Sequence, residues 1–532
     1  MPNPTDPMET STDAGRSAGS SAKDKPASEV MARGSPIGLG LGGILFLCLL
    51  LFFDPDPGQP AVGKLAAIAA LMAVWWITEA VPLAATSLLP FVLFPLLGIM
   101  GSNEIAPFYI NSTIFLFLGG FLMALAMERW DLHRRIALRT LLIFGRSPAL
   151  LVLGFMTACA FLSAWISNTA TAVAMLPVGM AILTGMEERW GRKQTATLGV
   201  SLMLGIAYAC SIGGIATLVG TPPNLAFKVI FEQTFPGAPP VTFASWCLMG
   251  IPLSLSLLII AWVVLTQILY RPDPSIRIDR GQLRSQYVAL GPMKREEKIV
   301  ATLFAITAFL WIFRVDIEFG AFRLPGWSRF FHQPAFIDDG TVAIFMALLL
   351  FFVPAGSGNQ RGRLLSAEVF RRVPWGIILL FGGGFALATG FEESGLSTWL
   401  ARTLFGALGG LPVLWIVALT CLVMTFFTEL TSNTASTQLV LPILAAAALA
   451  QAIHPMLLMI PATLSASMAF MMPVATPPNA IVFASGWLSV KQMARAGLIL
   501  NLVGVVAVSA AVYLIGGRVF GFTDASLPAW AH

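Results

Sequence analysis

Charged residues are scarce in this 532-residue chain, where Asp, Glu, Lys and Arg together make up only 11% of the sequence. Soluble globular proteins carry about 25% charged residues, so this shortage excludes a soluble fold. Apolar residue types reach 57%, which excludes a disordered chain as well. Length and composition together predict an all-α polytopic membrane protein.

Cysteine is also rare, and the five cysteines all lie inside apolar stretches without disulfide or metal-site spacing. Small core residues are the interpretation that this pattern favours. Nor does the sequence hold a nucleophile, metal cluster or carboxylate pair placed for catalysis, so an integral-membrane enzyme is disfavoured. The net charge of +5 comes from basic residues between apolar blocks, where they orient spans, and a nucleic-acid partner is therefore not expected.

Long runs without charge predict the membrane spans. The first run, 34–53, has 20 residues, which is enough to cross the bilayer as a helix. The polar segment 1–35 before it is expected to be a disordered cytoplasmic tail. Further spans are predicted near 63–83, 85–101, 110–127, 197–230, 246–270, 297–314, 341–355, 374–391, 456–484 and 495–516.

Two stretches, 147–186 and 430–490, contain no acidic residue, lysine or arginine and have Ser, Asn, Thr and Pro near their centres. Each is either two full spans or begins with a re-entrant hairpin whose tip stops inside the membrane. With two hairpins and a cytoplasmic N-terminus, 25 of the 32 Lys and Arg residues fall on the cytoplasmic side. This split follows the positive-inside rule. It supports eleven spans plus two hairpins with the C-terminus outside, although two full spans would orient the other loops identically.

The two halves of the chain repeat each other. Three motifs recur in the same order at offsets of 264, 265 and 255 residues. The pairs are Leu-Gly-Gly-Phe at 118–121 with Gly-Gly-Gly-Phe at 382–385, Ser-Asn-Thr-Ala at 167–170 and 432–435, and Thr-Pro-Pro-Asn at 221–224 and 476–479. The order indicates a duplication. Five spans per half, after one leading span, would make the halves an inverted repeat, the architecture of secondary transporters.

The repeated motifs favour ion binding over simple helix contacts. Ser-Asn-Thr inside an apolar stretch is often a hydrogen-bonding contact between helices, but two copies at matching positions make a functional site the better interpretation. The Pro-Pro pair breaks a helix and frees backbone carbonyls. Carbonyl, hydroxyl and amide oxygens suit a hard cation, and helix N-termini beyond a break attract an anion. The sequence thus predicts neighbouring cation and anion sites.

Basic side chains are missing where the anion would bind. Segment 147–186 has no Lys, Arg or His, and segment 430–490 has only His454, far from either motif. Bound cations must therefore balance much of the charge of a di-anion, which is a physical reason for co-transport. A proton antiporter is disfavoured because no lone Asp lies at a span centre. Glu429, three residues before Ser432, is interpreted as a structural acid, with a cation ligand or proton acceptor as the alternative.

These motifs, with Trp-Trp-Ile-Thr-Glu-Ala-Val-Pro at 75–82, are together specific. The chain from about 37 to 517 resembles the divalent anion/sodium symporter family, which includes sodium-coupled dicarboxylate, citrate and sulfate carriers. The resemblance implies two opposed re-entrant hairpins with Ser-Asn-Thr tips and an elevator motion of a transport domain in a homodimer. The implied parts are a tail 1–35, a scaffold at 36–146 (spans 1–4) and 297–411 (spans 7–9), a transport domain at 147–296 (first hairpin, spans 5–6) and 412–517 (second hairpin, spans 10–11), and a tail 518–532.

The resemblance also implies the binding residues. One Na⁺ site would use Ser163, Ser167, Asn168 and the backbone of Gly220, and the other would use Thr428, Thr431, Asn433 and the backbone of Ala475. The substrate would contact Ser167, Asn168, Thr169, Ser432, Asn433 and Thr434, with Thr476 and Pro477 nearby. Ser163 and Thr428 each precede Ser-Asn-Thr by four residues, so the sequence repeats this arrangement. No cofactor is expected besides the co-transported Na⁺.

The leading hypothesis is an integral plasma-membrane transporter that imports a small di-anion with Na⁺. C4-dicarboxylates (succinate, malate, fumarate) are favoured, because two opposed motifs suit an anion with a carboxylate at each end. A Na⁺-independent dicarboxylate exchanger and a Na⁺-coupled sulfate or citrate carrier are the alternatives. A channel is a further class, although a duplicated site at mid-membrane suits alternating access better.

Overall fold

The computed structural model describes residues 35–319, 322–356, 362–405, 411–522 and 525–531. The predicted N-terminal tail therefore lies outside the described residues, apart from Ser35. The first helices precede the first repeated motif. They are α1 (Pro36–Phe52), α2 (Pro60–Thr78), α3 (Leu83–Thr86), α4 (Leu89–Leu97) and α5 (Ser102–Tyr109). Ser35 caps α1, because its hydroxyl accepts a hydrogen bond from the N–H of Gly38 at 3.1 Å.

The repeated motifs lie in two runs of helices that follow the same order. The first run is α6 (Ser112–Arg129), α7 (Leu132–Phe144), α8 (Pro148–Ser163), α9 (Asn168–Trp190), α10 (Arg192–Gly214), α11 (Pro222–Thr234) and α12 (Phe243–Val263), which continues as a π-helix to Leu269. Three α-helices lie between the runs: α13 (Arg280–Ala289), α14 (Arg295–Ile312) and α15 (Asp339–Phe352).

The second run begins with α16 (Trp375–Glu393), α17 (Leu396–Phe405), α18 (Val413–Thr428) and α19 (Asn433–Ala450). It continues with α20 (Met456–Ser465), α21 (Pro477–Phe483) and α22 (Val490–Ala511), after which a π-helical turn (Val512–Gly516) leads into α23 (Gly517–Phe520). Helix by helix, α16 to α22 correspond to α6 to α12. The duplication seen in the sequence is thus present in the arrangement of helices.

The prediction of an all-α fold needs one correction. The described residues include two short antiparallel hairpins, β1 (Ile317–Phe319) with β2 (Phe322–Leu324), and β3 (Pro354–Ala355) with β4 (Gly362–Arg363). Both lie in connections between helices, where extended backbone can pair locally without a larger sheet. The fold remains predominantly helical.

Eight helices of the described residues are long and apolar enough to cross a membrane. Two of them, α9 and α19, are the second helices of the charge-free stretches with polar centres. The spans predicted at 34–53, 85–101 and 341–355 correspond to shorter apolar helices. The count of eleven spans plus two re-entrant hairpins therefore stays a prediction.

The helix breaks expected at the two Pro-Pro pairs are present. Helix α10 ends at Gly214 and α11 starts at Pro222, while α20 ends at Ser465 and α21 starts at Pro477. In both cases the prolines occupy the first helical positions, where a missing N–H costs nothing. The non-helical backbone accordingly lies before the prolines, at 215–221 and 466–476.

Packing between the repeats brings these features together. Helix α9 packs against α21, and α19 packs against α11. Each helix that starts with Asn-Thr thus contacts the short helix that follows the break of the other repeat. Helix α10 is the most buried of the eight long apolar helices.

Aromatic rings cover the turn between α8 and α9. The ring of Trp165 lies parallel to that of Trp311 in α14, with 6.5 Å between centroids, and stacks on Phe243 at 6.0 Å. The edge of Phe304 completes the contact at 5.0 Å. The first Ser-Asn-Thr turn is therefore held against α12 and α14.

Candidate functional site

The turn that joins α8 to α9 brings two predicted oxygen ligands together. Ser163 is fully buried as the last residue of α8, and Asn168 is the first residue of α9. The Ser163 hydroxyl donates to Asn168 Oδ1 at 2.5 Å. Ser167 caps α9, because its hydroxyl accepts from the N–H of Ala170 at 3.2 Å. We call residues 163–169 the first tip.

The turn between α18 and α19 repeats this geometry. Thr428 is fully buried as the last residue of α18, and Asn433 opens α19. The Thr428 hydroxyl donates to Asn433 Oδ1 at 2.6 Å and also lies 2.9 Å from the carbonyl oxygen of Ala466. We call residues 428–434 the second tip. The two pairs of side-chain oxygens occupy equivalent positions of the repeats.

The backbone break at 215–221, the first break, contacts the first tip directly. The hydroxyl of Thr217 donates to the carbonyl oxygen of Ala164 at 2.5 Å. The same hydroxyl accepts from the N–H of Gly220 at 3.1 Å. Thr217 thereby ties the non-helical backbone of the break to the turn that carries the Ser163–Asn168 pair.

Gly214 shows how closely the first break approaches the tip. A Cβ atom on this residue would lie 2.7 Å from Asn168 Oδ1 and 3.2 Å from the carbonyl oxygen of Gly220. Only glycine leaves room for that approach. The structure thus places Ser163, Asn168 and Gly220, three residues predicted for one site, around the same small volume.

The break at 466–476, the second break, is held by a carboxylate instead. Glu429 is buried in the second tip, with only 4% of the residue exposed. Its oxygens accept from the backbone N–H groups of Phe470, Met471 and Met472 at 2.7, 2.8 and 3.1 Å. The amide of Asn501 in α22 donates at 2.8 Å. Four N–H donors thus hydrogen-bond to this carboxyl group and anchor the freed backbone.

The other predicted residues of the second tip have mixed positions. The Thr431 hydroxyl donates to the carbonyl oxygen of Phe427 at 2.9 Å and shares a short hydrogen bond with Ser436. The Thr431 hydroxyl therefore makes its hydrogen bonds to residues within five positions of it along the chain. Ser432 and Asn433 are half-buried, and Thr434 is buried.

The remaining predicted residues lie at the edges of the site. Thr476 caps α21, because its hydroxyl accepts from the N–H of Asn479 at 3.4 Å. Thr169 and Pro477 are exposed, and Ala475 is half-buried. Among the described residues, no hydrogen bond joins the first tip to the second. The two tips are linked through the packing of α9 on α21 and of α19 on α11.

Sequence reasoning missed Thr217. Its equivalent in the second repeat is Met472, so repeat comparison carries no signal for a threonine at this position. Its importance depends on the tertiary approach of the break to the tip.

The arrangement offers oxygen ligands and little else. Hydroxyl, amide and carbonyl oxygens are the donors that hard cations prefer. Across the described part of the chain, no group of three or more His, Cys, Asp or Glu side chains could hold a metal ion. This donor set fits a hard cation better than a soft transition metal.

Comparison with known proteins adds independent information. The family described as "Sodium:sulfate symporter transmembrane region" matches residues 41–520. The sodium-dependent dicarboxylate transporter SdcS of Staphylococcus saprophyticus is 42% identical over 494 residues, which cover 92% of each chain. SdcS of Staphylococcus aureus is 43% identical over 507 residues, which cover 94% of each chain.

Two solved structures share the overall fold. Neisseria gonorrhoeae MtrF, described as illuminating a class of antimetabolite efflux pumps, aligns with a TM-score of 0.54 at 15% identity, covering 94% of this chain and 99% of MtrF. The Alcanivorax borkumensis YdaH transporter aligns with a TM-score of 0.55 at 15% identity, covering 92% of this chain and all of YdaH. At this identity the likeness concerns the fold alone.

Proposed function

Since the chain belongs to the sodium:sulfate symporter family, we propose that it is a secondary active transporter that couples Na⁺ entry to the import of a small dicarboxylate. The family predicted from the paired motifs is thereby confirmed, and the chain is an integral membrane transporter rather than an enzyme. Its 42–43% identity to sodium-dependent dicarboxylate transporters supports a dicarboxylate as the substrate class.

The observation that carries this function is the pair of side-chain oxygens in each tip. Ser163 with Asn168, and Thr428 with Asn433, lie 2.5 and 2.6 Å apart at equivalent positions. Each pair, beside freed backbone carbonyls, can supply two oxygen ligands to a Na⁺ ion. Ser167 and the carbonyl of Gly220 complete the first proposed site, and Thr431 and the backbone of Ala475 the second.

The anion is proposed to bind between the tips. Ser167, Asn168 and Thr169 would contact one carboxylate, and the matching residues Ser432, Asn433 and Thr434 the other, with Thr476 and Pro477 at the edge. Neither tip carries a basic side chain. Because an unbalanced charge inside a membrane protein is costly, the bound Na⁺ ions supply the compensation. This requirement makes coupling a consequence of the site's composition.

A four-carbon dicarboxylate fits this arrangement best. Two tips that each offer hydroxyl and amide donors can hold a carboxylate at each end of one short molecule, whereas sulfate would engage a single centre. We therefore favour succinate, malate and fumarate over sulfate and citrate.

The larger architecture follows from the same proposal. Segments 147–296 and 412–517 form a transport domain that moves in an elevator fashion against a scaffold of 36–146 and 297–411. The repeats are inverted, the hairpins are re-entrant, and the protein is a homodimer in the plasma membrane. The N-terminus is cytoplasmic and the C-terminus lies outside.

Uptake by purified protein in proteoliposomes tests the function. Radiolabelled succinate is supplied outside with either Na⁺ or K⁺, with empty liposomes as the baseline. We expect accumulation that requires external Na⁺ and that unlabelled malate and fumarate suppress. Equal uptake in K⁺ that depends on succinate inside the vesicles would instead establish an exchanger. If sulfate suppresses the uptake and malate and fumarate do not, the proposed substrate class of C4-dicarboxylates is wrong.

A further inference from the structure

The asparagine that follows the first Pro-Pro pair holds the backbone of the first break. Asn224 is completely buried. Its side-chain Nδ2 donates to two carbonyl oxygens, that of Gly214 at 3.1 Å and that of Thr217 at 2.7 Å. An amide NH₂ has two donors in one plane, so a single side chain fixes the direction of both carbonyls.

The second repeat contains the same clamp atom for atom. Asn479 is also completely buried, and its Nδ2 donates to the carbonyl oxygens of Ala469 and Met472, both at 3.0 Å. Asn479, Ala469 and Met472 each lie 255 residues after their counterparts in the first clamp. The agreement of four hydrogen bonds across the duplication singles out this amide among the polar groups of the breaks.

The carbonyls need such a donor because the helix has ended. Helix α10 stops at Gly214, so the carbonyls of Gly214 and Thr217 lack the N–H donors that a continuing helix would provide four residues later. A freed carbonyl without a partner is costly inside a membrane protein. The asparagine side chain donates the hydrogen bond that the carbonyl lacks, and the backbone of the break can therefore remain non-helical.

The clamp lies directly beside the proposed cation site. Gly214, whose carbonyl Asn224 holds, is the residue that borders Asn168 Oδ1 and the carbonyl of Gly220. In each repeat the asparagine Oδ1 is buried and has no hydrogen-bond partner among the described residues. An amide that leaves its own acceptor unpaired in both repeats is positioned by its two donors, whose fixed carbonyls shape the site.

We propose that Asn224 and Asn479 are positioning residues for the two Na⁺ sites. They clamp the broken backbone in the geometry that binds the cation, without touching the anion. This inference rests on the proposed Na⁺ coupling. The second break is also anchored by Glu429, whereas the first relies on Thr217 and Asn224. Loss of Asn224 is therefore expected to weaken Na⁺ binding more than loss of Asn479.

Four variants test the proposal: Asn224→Leu, Asn479→Leu, Asn224→Ala and Asn479→Ala. Leucine matches the shape of asparagine but removes both donors, while alanine leaves space for a water molecule that can donate in its place. The measurement is the Na⁺ concentration that gives half of the maximal rise in melting temperature of detergent-purified protein without substrate. The same Na⁺ titration is repeated for succinate uptake.

We expect the leucine variants to raise the required Na⁺ concentration tenfold or more and the alanine variants to raise it less. Asn111→Ala is the matched control. Asn111 caps α6 by accepting from the N–H groups of Thr113 and Ile114, both at 3.1 Å, outside the site. This variant should melt earlier with an unchanged Na⁺ requirement, which separates general destabilisation from a lost cation site.

The outcomes are distinguishable. Folded variants at 224 and 479 that need no more Na⁺ than the wild type would overturn the clamp while leaving Na⁺ coupling intact. If a leucine variant does not fold, the alanine variant at the same position decides. A wild-type protein that gains no more stability from Na⁺ than from K⁺ would overturn the proposed function and this inference together.

Discussion

The two tips carry the same pair of oxygens in different surroundings. Trp165 of the first tip is packed under aromatic rings, whereas its equivalent in the second tip, Leu430, is 72% exposed. The second break is likewise more exposed than the first, since Val219 is half-buried and its equivalent Val474 is 82% exposed. The shared chemistry therefore resides in the turns and breaks themselves, while the neighbouring surfaces of the two repeats differ.

The means of holding each break open differ as well. The first repeat uses a hydroxyl, that of Thr217, which bonds the carbonyl of Ala164. The second repeat has Glu429 at the position of Ala164, and its carboxylate collects three backbone N–H groups. The first break is thus held through a captured carbonyl oxygen and the second through captured backbone amides.

The largest effect should come from the asparagines that both tips share. We expect Asn168→Ala and Asn433→Ala each to abolish coupled uptake, because each removes a proposed ligand of the cation and of the anion together. Losing one hydrogen bond to a charged partner costs about 1.5–3 kcal/mol, and each substitution loses two such contacts. Initial rates of succinate uptake at low substrate measure the loss. Normal uptake by either variant would show that the asparagine of that tip is not a ligand of the cation or the anion.

The unequal breaks should respond unequally in stability. Glu429→Gln turns an amide NH₂ towards backbone N–H donors and should lower the free energy of unfolding by about 3 kcal/mol. Thr217→Val removes a neutral hydroxyl and should cost about 1.5 kcal/mol. Melting temperatures in detergent without Na⁺ compare the two. If the Thr217→Val protein melts at a lower temperature than the Glu429→Gln protein, the prediction that the Glu429 contacts contribute more stability than the Thr217 contact is wrong.

A smaller and more selective effect is expected at the other oxygen of each pair. Ser163→Ala and Thr428→Ala each remove one proposed cation ligand and should raise the Na⁺ concentration for half-maximal uptake roughly tenfold, the equivalent of about 1.4 kcal/mol. Succinate affinity should largely return at saturating Na⁺. Thr428→Ser keeps the hydroxyl and serves as the control. A defect that no Na⁺ concentration rescues would point to structural damage or direct anion contact.

The smallest effect concerns a side chain that only the second repeat buries. Gln438 in α19 is fully buried beside Gly384, and neither polar atom of its amide has a hydrogen-bond partner among the described residues. Its equivalent in the first repeat, Val173, is 55% exposed. Gln438→Leu should raise stability by about 1 kcal/mol, seen as a higher melting temperature. A destabilised variant would mean that the amide is satisfied.

Much of this arrangement could be predicted from the sequence. The Ser-Asn-Thr motifs fall at the two turns, and the Pro-Pro pairs mark the breaks, because local chemistry alone dictates caps and helix starts. The grouping of Ser163 with Asn168 and of Thr428 with Asn433 is implied by the family resemblance, and the structure shows each pair in contact across a turn. These features depend on neighbours in the chain.

The contacts that stabilise the breaks could not be predicted in the same way. Glu429 reaches backbone amides about forty residues away, and Thr217 reaches Ala164 across 53 positions. Such partners are set by how helices pack, which one sequence does not specify. Asn224 and Asn479 were visible as repeated residues, but only the structure shows which carbonyls they hold.

The binding affinity of purified protein for succinate at increasing Na⁺ concentration tests the central claim most directly. Two oxygen sites without a basic side chain should leave succinate weakly bound in K⁺ and tighten its Kd steeply as Na⁺ replaces K⁺. By linkage, saturating succinate must lower the Na⁺ concentration needed for binding by the same factor. Equal succinate affinity in Na⁺ and in K⁺ would contradict the account.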